Sequence, residues 1–382
     1  MKKFLSFPLA VLMLALSVPL GAAAPADSGL SLSCASCVLM EKETGTILLE
    51  ENAHEKLEPA SVTKVMTLLL VMEAVDAGQV SLDDPVTVSA YAAGMGGSQV
   101  YLEEGEQMSV SEMIKCVTVV SGNDCSVALA EHLAGNEGAF VARMNQRAQE
   151  LGMADTNFLN CTGLPAQGHV TSAHDIALMS RELILRHPKI REYTTIWMDS
   201  IRNGEFGLTN TNRLVRFYQG TTGLKTGYTS SAGYCMSATA ERDGMELIAV
   251  VMKCPSISQR FDDAKALLDY GFASYSLTTV YPEAPLAPVD VLLGAASQVQ
   301  PQLARDCRLL VRKGEAGQVT TRLTMAQDVE APVERGQILG RLEILVGDQV
   351  RDTVPILASQ DVERLSVPGI FSRMLSKLLM AE

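Results

Sequence analysis

The sequence predicts an α+β fold with a layered α/β arrangement, in which helices pack on an antiparallel sheet and a small all-β domain follows. Three observations support this prediction: strand-like runs at both ends of the first part of the chain, helical spacing between them, and a proline-rich segment followed by further strand-like runs. The chain has 382 residues, which exceeds the size at which one hydrophobic core usually stops growing. We therefore expect two or more domains.

The N-terminus has the order of segments typical of a secretory signal peptide. Two lysines precede an apolar run over residues 4–20, and small residues follow at 21–24. This order predicts a signal peptide at residues 1–24, cleaved near Ala24. The alternative is an uncleaved membrane anchor, although the run is short for a bilayer span. In both cases we expect the bulk of the chain to be exported.

Composition argues against two classes of function. The formal net charge is −13 at pH 7, and nucleic-acid binding depends on a basic surface that neutralises phosphates, so we expect no nucleic-acid partner. The five histidines form no H-E-x-x-H or similar pair. Cys34 and Cys37 form a single C-x-x-C without a second pair at zinc-site spacing, so we expect no metal and no cofactor. They are interpreted as a disulfide or as two ordinary thiols, and the pairing of the eight cysteines stays open.

The first domain is predicted at residues 35–277. Apolar runs at 38–40 and 46–49 flank a glycine turn and predict a hairpin. Pro59-Ala60-Ser61 then opens a helical stretch that continues to Gly78 and is apolar on nearly all sides, which is typical of a helix inside a domain.

Helices are predicted for the middle of this domain, and strands return after Leu224. Ser109-Val110-Ser111-Glu112 has the form of a capping box, and Ser172-Ala173-His174-Asp175 is a second candidate. Helical segments are expected at about 109–120, 124–135, 137–151, 176–185 and 261–270. Strand-like runs at 234–241 and 245–253 flank a hairpin turn, Arg242-Asp243-Gly244, and predict one sheet completed by the N-terminal hairpin.

The remainder is predicted as a linker, an all-β domain and a helix. Three prolines among residues 281–288 indicate a linker, placed at 278–288. Strand-like runs at 307–312, 319–325, 337–346 and 350–357 predict an all-β domain at 289–366. Residues 367–382 place apolar side chains on one helical face, which favours a helix lying on a membrane surface. The alternative is a helix docked on its own β domain.

Ser61-Val62-Thr63-Lys64 places a hydroxyl and an amine on the same face of a helix. A serine hydroxyl is a poor nucleophile until a neighbouring base removes its proton, and a lysine can do that only if burial or another cation lowers its pKa. Lys225 is the candidate for that second cation. An S-x-x-K motif arises readily by chance in a chain of this length, so it needs support from other motifs.

Two further motifs supply that support. Ser121-Gly122-Asn123 falls in a predicted loop between helices, where side chains can reach a cleft, although a polar loop or a helix cap would look the same. Lys225-Thr226-Gly227 lies at the start of the predicted strands. Its lysine can hold a substrate carboxylate, its threonine hydroxyl can bond to that carboxylate, and its glycine lets a substrate backbone approach closely.

In this order the motifs match the pattern of penicillin-recognising serine enzymes. With Glu58-Pro59-Ala60-Ser61, Asn123-Asp124, residues 223–229 and Ala232-Gly233-Tyr234, the chain resembles the D-alanyl-D-alanine carboxypeptidases, which are low-molecular-mass penicillin-binding proteins, from about residue 35 onward. The resemblance implies a β-lactamase/transpeptidase-like domain, a small all-β sandwich domain and a C-terminal amphipathic helix. It also implies removal of the terminal D-alanine from peptidoglycan stem pentapeptides, covalent inhibition by β-lactams, and attachment to the outer face of the cytoplasmic membrane through that helix.

The resemblance assigns a role to each motif residue. Ser61 becomes the acylated nucleophile and Lys64 its base, and the backbone N–H groups of Ser61 and Tyr228 become the oxyanion hole. The remaining assignments are proton relay and substrate positioning for Ser121 and Asn123, and substrate binding for Lys225, Thr226, Gly227 and Tyr228.

Two alternatives of the same fold are weighed. A class A β-lactamase needs a glutamate ahead of a Leu-Asn pair to activate water, whereas Thr156-Asn157-Phe158-Leu159-Asn160 carries threonine there. A catalytically inactive wall-peptide binding protein would keep the scaffold and lose the chemistry, and the intact Ser61, Lys64 and Lys225 argue against it. Cys125, close behind the second motif, is interpreted as a buried helix residue.

Overall fold

The structure is a computed structural model that describes residues 29–379, so the predicted signal peptide at 1–24 lies outside the described residues. The strands of its first part are β1 (Ser36–Glu41), β2 (Ile47–Glu51), β3 (Pro85–Thr87), β4 (Gln107–Ser109), β5 (Met198–Ile201), β6 (Phe206–Thr209), β7 (Thr221–Thr229), β8 (Gly233–Arg242) and β9 (Met245–Cys254). Five of them form the central antiparallel sheet, in the order β2-β1-β9-β8-β7. The hairpin near the N-terminus thereby completes the sheet, as predicted.

Both faces of the sheet are covered by hydrophobic clusters, because side chains alternate between the faces along each strand. The helices are α1 (Lys64–Asp76), α2 (Ala90–Ala93), α3 (Val110–Val119), α4 (Asn123–Ala134), α5 (Glu137–Glu150), α6 (Ala173–Arg186), α7 (Arg191–Thr194), α8 (Leu214–Phe217) and α9 (Ile257–Ser274). Val38 and Val250 face a large cluster with α1 and α3 to α6, whereas Leu39 and Val251 face a smaller cluster with α9. The layered α+β class is thus confirmed.

The two capping-box predictions have different outcomes. Ser109 and Glu112 cap α3 reciprocally, as expected. At α6 the Ser172 side chain accepts from the N–H of Asp175, but the return bond is not formed. The reason is that Asp175 Oδ2 already accepts from the Asp155 N–H at 2.8 Å and from the Thr156 hydroxyl at 2.7 Å. The second capping-box prediction is therefore half right.

The second part of the chain is all-β, with its own hydrophobic clusters. Its strands are β10 (Tyr275–Thr279), β11 (Val289–Leu292), β12 (Gln298–Val299), β13 (Pro301–Leu303), β14 (Arg308–Arg312), β15 (Val319–Met325), β16 (Asp328–Glu330), β17 (Ile338–Val346) and β18 (Gln349–Ala358). β10 pairs with β14 through Thr279, so it enters the segment predicted as a linker. The short strands β11 to β13 and β16 were missed, because runs of two to four residues are too short to establish an alternation from sequence.

The last element of the described residues is α10 (Val367–Leu379). Phe371, Met374 and Leu375 are exposed on it. Among residues 29–379, no helix combines the length and the apolar character needed to cross a bilayer.

Candidate active site

Lys64 is the fully buried centre of the site. Ser61 lies in a 3₁₀ turn, Ala60–Thr63, that leads directly into α1, and this places the Lys64 amine 3.1 Å from the Ser61 hydroxyl oxygen. The amine also contacts Asn123 Oδ1 and the Thr162 carbonyl oxygen, both at 2.6 Å. Burial lowers the pKa of Lys64 to about 7. At neutral pH a large fraction of this amine is therefore unprotonated and able to take a proton from Ser61.

The loop that supplies the Thr162 carbonyl is held tightly against the Ser61 turn. Gly163 has φ of +82°, and a Cβ there would lie 1.8 Å from the carbonyl oxygen of Ala60, so only glycine fits. Asn160 Oδ1 accepts from the N–H groups of Thr162 and Gly163 at 3.2 and 2.7 Å. These bonds fix the direction of the carbonyl that Lys64 meets.

A buried histidine contacts the turn that carries Ser61. His169 lies 2.8 Å from the Thr63 hydroxyl through Nε2, and its Nδ1 accepts from the Leu159 N–H at 3.0 Å. Because a backbone N–H donates to Nδ1, the neutral ring carries its proton on Nε2 and donates to Thr63. Burial lowers the pKa of His169 to about 4, so the ring stays neutral near neutral pH. His169 thus positions the Ser61 turn through Thr63.

The second motif lies beside the amine. Asn123, the first residue of α4, accepts from Lys64 and donates through Nδ2 to the Gly96 carbonyl at 2.6 Å. Ser121 has φ of +65°, a conformation that is strained for a non-glycine residue. Its hydroxyl oxygen is buried and has no hydrogen-bond partner among the described residues. Ser121 therefore holds a free hydroxyl at the pocket wall.

The third motif runs along β7, opposite the Ser61 turn. A Cβ at Gly227 would lie 2.8 Å from the Pro59 carbonyl oxygen and 3.0 Å from the Ser61 nitrogen, which explains the glycine. Lys225 is buried and donates to the Thr226 carbonyl at 2.8 Å, and the Thr226 hydroxyl donates to Thr211 Oγ1 at 2.8 Å. The strand and the turn thus come into direct contact at Gly227.

Burial is the main influence on the pKa of both motif lysines. Burial is the main cause that lowers the pKa of Lys64, and Lys225 is not among the causes. Burial, followed by the charges on Lys64 and Arg260, lowers the pKa of Lys225 well below its usual value. Burial by itself thus accounts for the lowered pKa of Lys64. A contribution of Lys225 as the second cation stays a prediction.

A pocket of about 830 Å³ opens at Ser61. Of the eight predicted site residues, five line it: Ser61, Ser121, Thr226, Gly227 and Tyr228. Lys64, Asn123 and Lys225 are buried and do not line it. The S-x-x-K turn, the Ser121 loop and β7 thus meet at one pocket, as the motifs predicted.

The rest of the pocket wall is cationic and aromatic. Arg213 and Arg260 are its charged residues, and no carboxylate lines it within residues 29–379. Arg260 donates to the Gly227 carbonyl at 3.2 Å. Tyr228 stacks on Tyr234 with ring centroids 4.3 Å apart. An anionic, partly apolar ligand therefore suits this pocket.

Sequence reasoning missed both arginines and the Thr162 carbonyl. Arg260 was placed before the predicted helix at 261–270, whereas α9 begins at Ile257. Ser256, whose hydroxyl accepts from the Gln259 N–H and caps α9, was the signal that could have extended this helix. The role of a backbone carbonyl such as that of Thr162 cannot be predicted from residue type, because every residue carries one.

Comparison with known families decides the identity. A family model described as D-alanyl-D-alanine carboxypeptidase matches residues 22–256, which contain all three motifs. The chain belongs to this family. A second model, the C-terminal domain of penicillin-binding protein 5, matches residues 275–364. The D-alanyl-D-alanine carboxypeptidase activity predicted from the motifs is thus confirmed.

Individual relatives agree with this assignment. The chain is 40% identical over 373 residues to the D-alanyl-D-alanine carboxypeptidase DacF of Bacillus subtilis, covering 95% of both chains. It resembles the crystal structure of penicillin-binding protein 5 from Haemophilus influenzae with a TM-score of 0.76 and 30% identity, over 88% of this carboxypeptidase and 99% of that chain. Penicillin-binding protein D2 of Listeria monocytogenes in its ampicillin-bound form gives a TM-score of 0.59 and 34% identity, over 64% of this chain and 99% of that chain.

Proposed function

We propose that the carboxypeptidase removes the terminal D-alanine of a peptidoglycan stem pentapeptide through an acyl-enzyme at Ser61. The observation that carries this proposal is the contact of 3.1 Å between the Ser61 hydroxyl and an amine whose pKa burial lowers to about 7. The unprotonated Lys64 amine takes the Ser61 proton as the oxygen attacks the carbonyl of the D-alanyl-D-alanine bond. D-alanine leaves, and water then hydrolyses the ester.

The oxyanion formed during attack is stabilised by the N–H groups of Ser61 and Tyr228. Support for this pair comes from Gly227, since its contact with Ser61 N brings β7 against the Ser61 turn. Two fixed backbone donors facing one oxygen need no rearrangement as charge develops, which is the usual design of such a hole.

The free hydroxyl of Ser121 relays a proton between Lys64 and the leaving amine, and Asn123 positions the Lys64 amine. Ser121 lines the pocket, and its hydroxyl has no hydrogen-bond partner among the described residues. It is therefore free to form a hydrogen bond with a bound substrate. The contact of 2.6 Å from Lys64 to Asn123 Oδ1 fixes the direction of the amine. Ser121 thus transfers the proton, and Asn123 orients the Lys64 amine.

Thr226 on the pocket wall binds the terminal carboxylate of the substrate, and the buried Lys225 next to it attracts that carboxylate through its charge. The pKa of the buried Lys225 is lowered in the free enzyme, and an adjacent carboxylate favours the protonated amine, so substrate binding restores its charge. The Thr226 hydroxyl lies on the pocket wall and adds a hydrogen bond to the same carboxylate.

β-Lactams acylate the same serine, and the adduct is long-lived. A β-lactamase of this fold needs a carboxylate to activate water, and no carboxylate lines the pocket among the described residues. Thr156, at the position weighed for that glutamate, bonds instead to Thr171 and Asp175 at 2.7 Å. The β-lactamase alternative is therefore disfavoured.

Export and membrane attachment complete the proposal. Residues 1–24 act as the signal peptide, and α10 lies on the outer face of the cytoplasmic membrane through its apolar side chains. Phe371 is 71% exposed and Met374 60% exposed, and exposed apolar side chains of this size are stabilised by an acyl-chain environment.

D-alanine release and penicillin labelling test the catalytic proposal. The purified protein is expected to release D-alanine from diacetyl-Lys-D-Ala-D-Ala and to bind fluorescent penicillin at Ser61, located by peptide mapping. Ser61→Ala should lose both, while Ser258→Ala, an exposed serine on α9, should keep both. Label on the Ser61→Ala protein would place the nucleophile elsewhere. Rapid nitrocefin hydrolysis without an adduct would favour a β-lactamase, and neither release nor label would favour an inactive binding protein.

A further inference from the structure

Three thiols meet on the face of the sheet that α9 covers. Cys34 lies at the position opposite Cys254, because Ser36 pairs with Met252 in the antiparallel ladder and the Ala35 N–H donates to the Met252 carbonyl at 3.0 Å. Cys37 and Cys254 belong to the hydrophobic cluster under α9, and Cys34 packs against it. All eight cysteines of the chain lie within the described residues, where each is a free thiol. The C-x-x-C motif therefore has a third partner that its spacing did not reveal, and the proposed catalytic mechanism uses none of the three.

One carboxylate holds two of these cysteines together. Asp263 on α9 accepts from the Cys34 N–H at 2.9 Å, from the Ser33 hydroxyl at 2.7 Å and from the Cys254 thiol at 3.7 Å, all through Oδ2. Cys254 is the last residue of β9, whereas Cys37 lies inside β1 and pairs with Val251. Cys34 and Cys254 thus share a contact with Asp263 at the end of β9. The backbone of Cys37 is held in place by its pairing in the sheet.

The three thiols also differ in access and reactivity. Cys34 is half-buried, whereas Cys37 and Cys254 are buried. Interaction with the thiols of Cys254 and then of Cys37 lowers the pKa of Cys34 to about 5, and the same interactions raise the pKa of both partners. The thiolate is the nucleophilic form of cysteine, so Cys34 is the thiol that meets an external reagent first.

We propose that Cys34 and Cys254 are a redox pair that forms a reversible disulfide with low-molecular-mass disulfides. The Cys34 thiolate attacks one sulfur of the external disulfide, whose S–S bond breaks and releases one thiol. The Cys254 thiol then loses its proton and attacks the Cys34 sulfur, which forms the Cys34–Cys254 bond and releases the second thiol. The two protein thiols give up two electrons and two protons, and the external disulfide takes up both.

The crosslink acts on a segment that leads into the catalytic pocket. Only two residues separate Cys254 from α9, and Ile257, Arg260 and Phe261 of α9 line the pocket. Arg260 in turn bonds to the Gly227 carbonyl on β7. Because the disulfide would close a loop from the N-terminal segment to the end of the sheet, it restrains the unfolded chain and raises the melting temperature.

Mass spectrometry of the oxidised full chain tests the pair. The reduced protein is incubated with oxidised glutathione, digested without reductant, and analysed for linked peptides. We expect a Cys34–Cys254 link, a melting temperature several degrees higher, and reversal by dithiothreitol. Cys254→Ser should trap glutathione on Cys34, and Cys37→Ser should still form the link. Cys307→Ser, a buried thiol of the all-β domain, is the matched control that should behave as the wild type.

Two results would overturn the proposal. One is a Cys34–Cys37 link in the wild type, and the other is an unmodified Cys34 after incubation at a glutathione concentration that modifies a free thiol in the unfolded chain. Since Cys254→Ser alters a buried site, Cys34→Ser at the half-buried position provides a second variant. It should show neither link nor adduct at Cys254, while penicillin labelling and the circular dichroism spectrum report that the protein is folded.

Discussion

Gly227 touches the turn that carries Ser61 so closely that a side-chain carbon at position 227 would lie 3.0 Å from the Ser61 nitrogen. The same carbon would lie 2.8 Å from the Pro59 carbonyl oxygen, and both of these neighbours are backbone atoms with little freedom to move. The distance between β7 and the Ser61 turn is therefore set by the absence of a side chain, and the proposed oxyanion hole depends on that distance.

Gly227→Ala should lower kcat strongly while the protein still folds. The added methyl group pushes β7 from the Ser61 turn and misplaces one of the two N–H donors, and loss of one such donor costs about 100-fold or more in kcat. D-alanine release measures the effect. Gly207→Ala is the matched control, because a Cβ at Gly207 on β6 meets nothing within 4 Å. Equal kcat values for the two variants would contradict the proposed role of β7.

The rate of acylation should rise with pH and level off above neutrality. Burial lowers the pKa of Lys64 to about 7, and only the unprotonated amine can accept the Ser61 proton. Below that pKa the reactive fraction falls about tenfold for each pH unit. Stopped-flow labelling with fluorescent penicillin between pH 5.5 and 9 gives the profile. A rate that is flat over this range, or that still rises near the pKa of an ordinary lysine, would rule out Lys64 as the base. Lys64→Arg, which keeps its proton, should be inactive at every pH.

His169→Gln should make stability less sensitive to acid. The pKa of His169 is about 4 in the folded state and about 6.5 in an unfolded chain. The unfolded state thus binds the proton more readily. The stability that the neutral His169 ring contributes to the folded state is therefore present in full above pH 6.5 and is lost as the pH falls towards 4. The shift corresponds to at most about 3 kcal/mol. Denaturation in urea at pH 7 and pH 4.5 compares the variant with the wild type. An equal loss of stability in both proteins would show that other groups dominate acid unfolding.

Arg213→Ala should raise KM for an anionic peptide and leave kcat nearly unchanged. Arg213 is an exposed cation on the pocket wall, and no hydrogen bond or ion pair of its side chain is found among the described residues. Such a charge attracts the substrate and its transition state alike, so its removal acts on binding. Arg216→Ala is the control, because Arg216 stacks on Trp197 and Phe217 and does not line the pocket. A larger increase in KM for the control would reject the prediction.

Removal of residues 367–382 should abolish binding to vesicles that contain anionic lipid. The truncated protein loses the exposed apolar side chains of α10 but keeps the pocket, so D-alanine release should persist. Co-sedimentation with vesicles gives the bound fraction. Retained binding after truncation would favour the alternative in which α10 docks on the all-β domain.

Local patterns made the nucleophile and its base predictable. Ser61 and Lys64 are three residues apart at a helix start, so their contact follows from helix geometry alone, and the helical middle and the long strands follow from periodicity. The Thr162 carbonyl and Arg260 reach the site from distant segments, and no local pattern encodes such an approach. The lowered pKa of Lys64 was expected from burial or from a second cation, and the local pattern could not decide between these causes, because burial depends on the packing of the whole domain.

Among the described residues β7 is the outermost strand of the central sheet. An edge strand presents backbone N–H and C=O groups to an extended peptide, which can bind as one more strand. Binding of this kind depends on hydrogen bonds to the main chain of the ligand and depends little on many of its side chains. An N-methylated peptide, whose amide can no longer donate, should therefore be a poorer ligand than a peptide with an altered side chain at the same position.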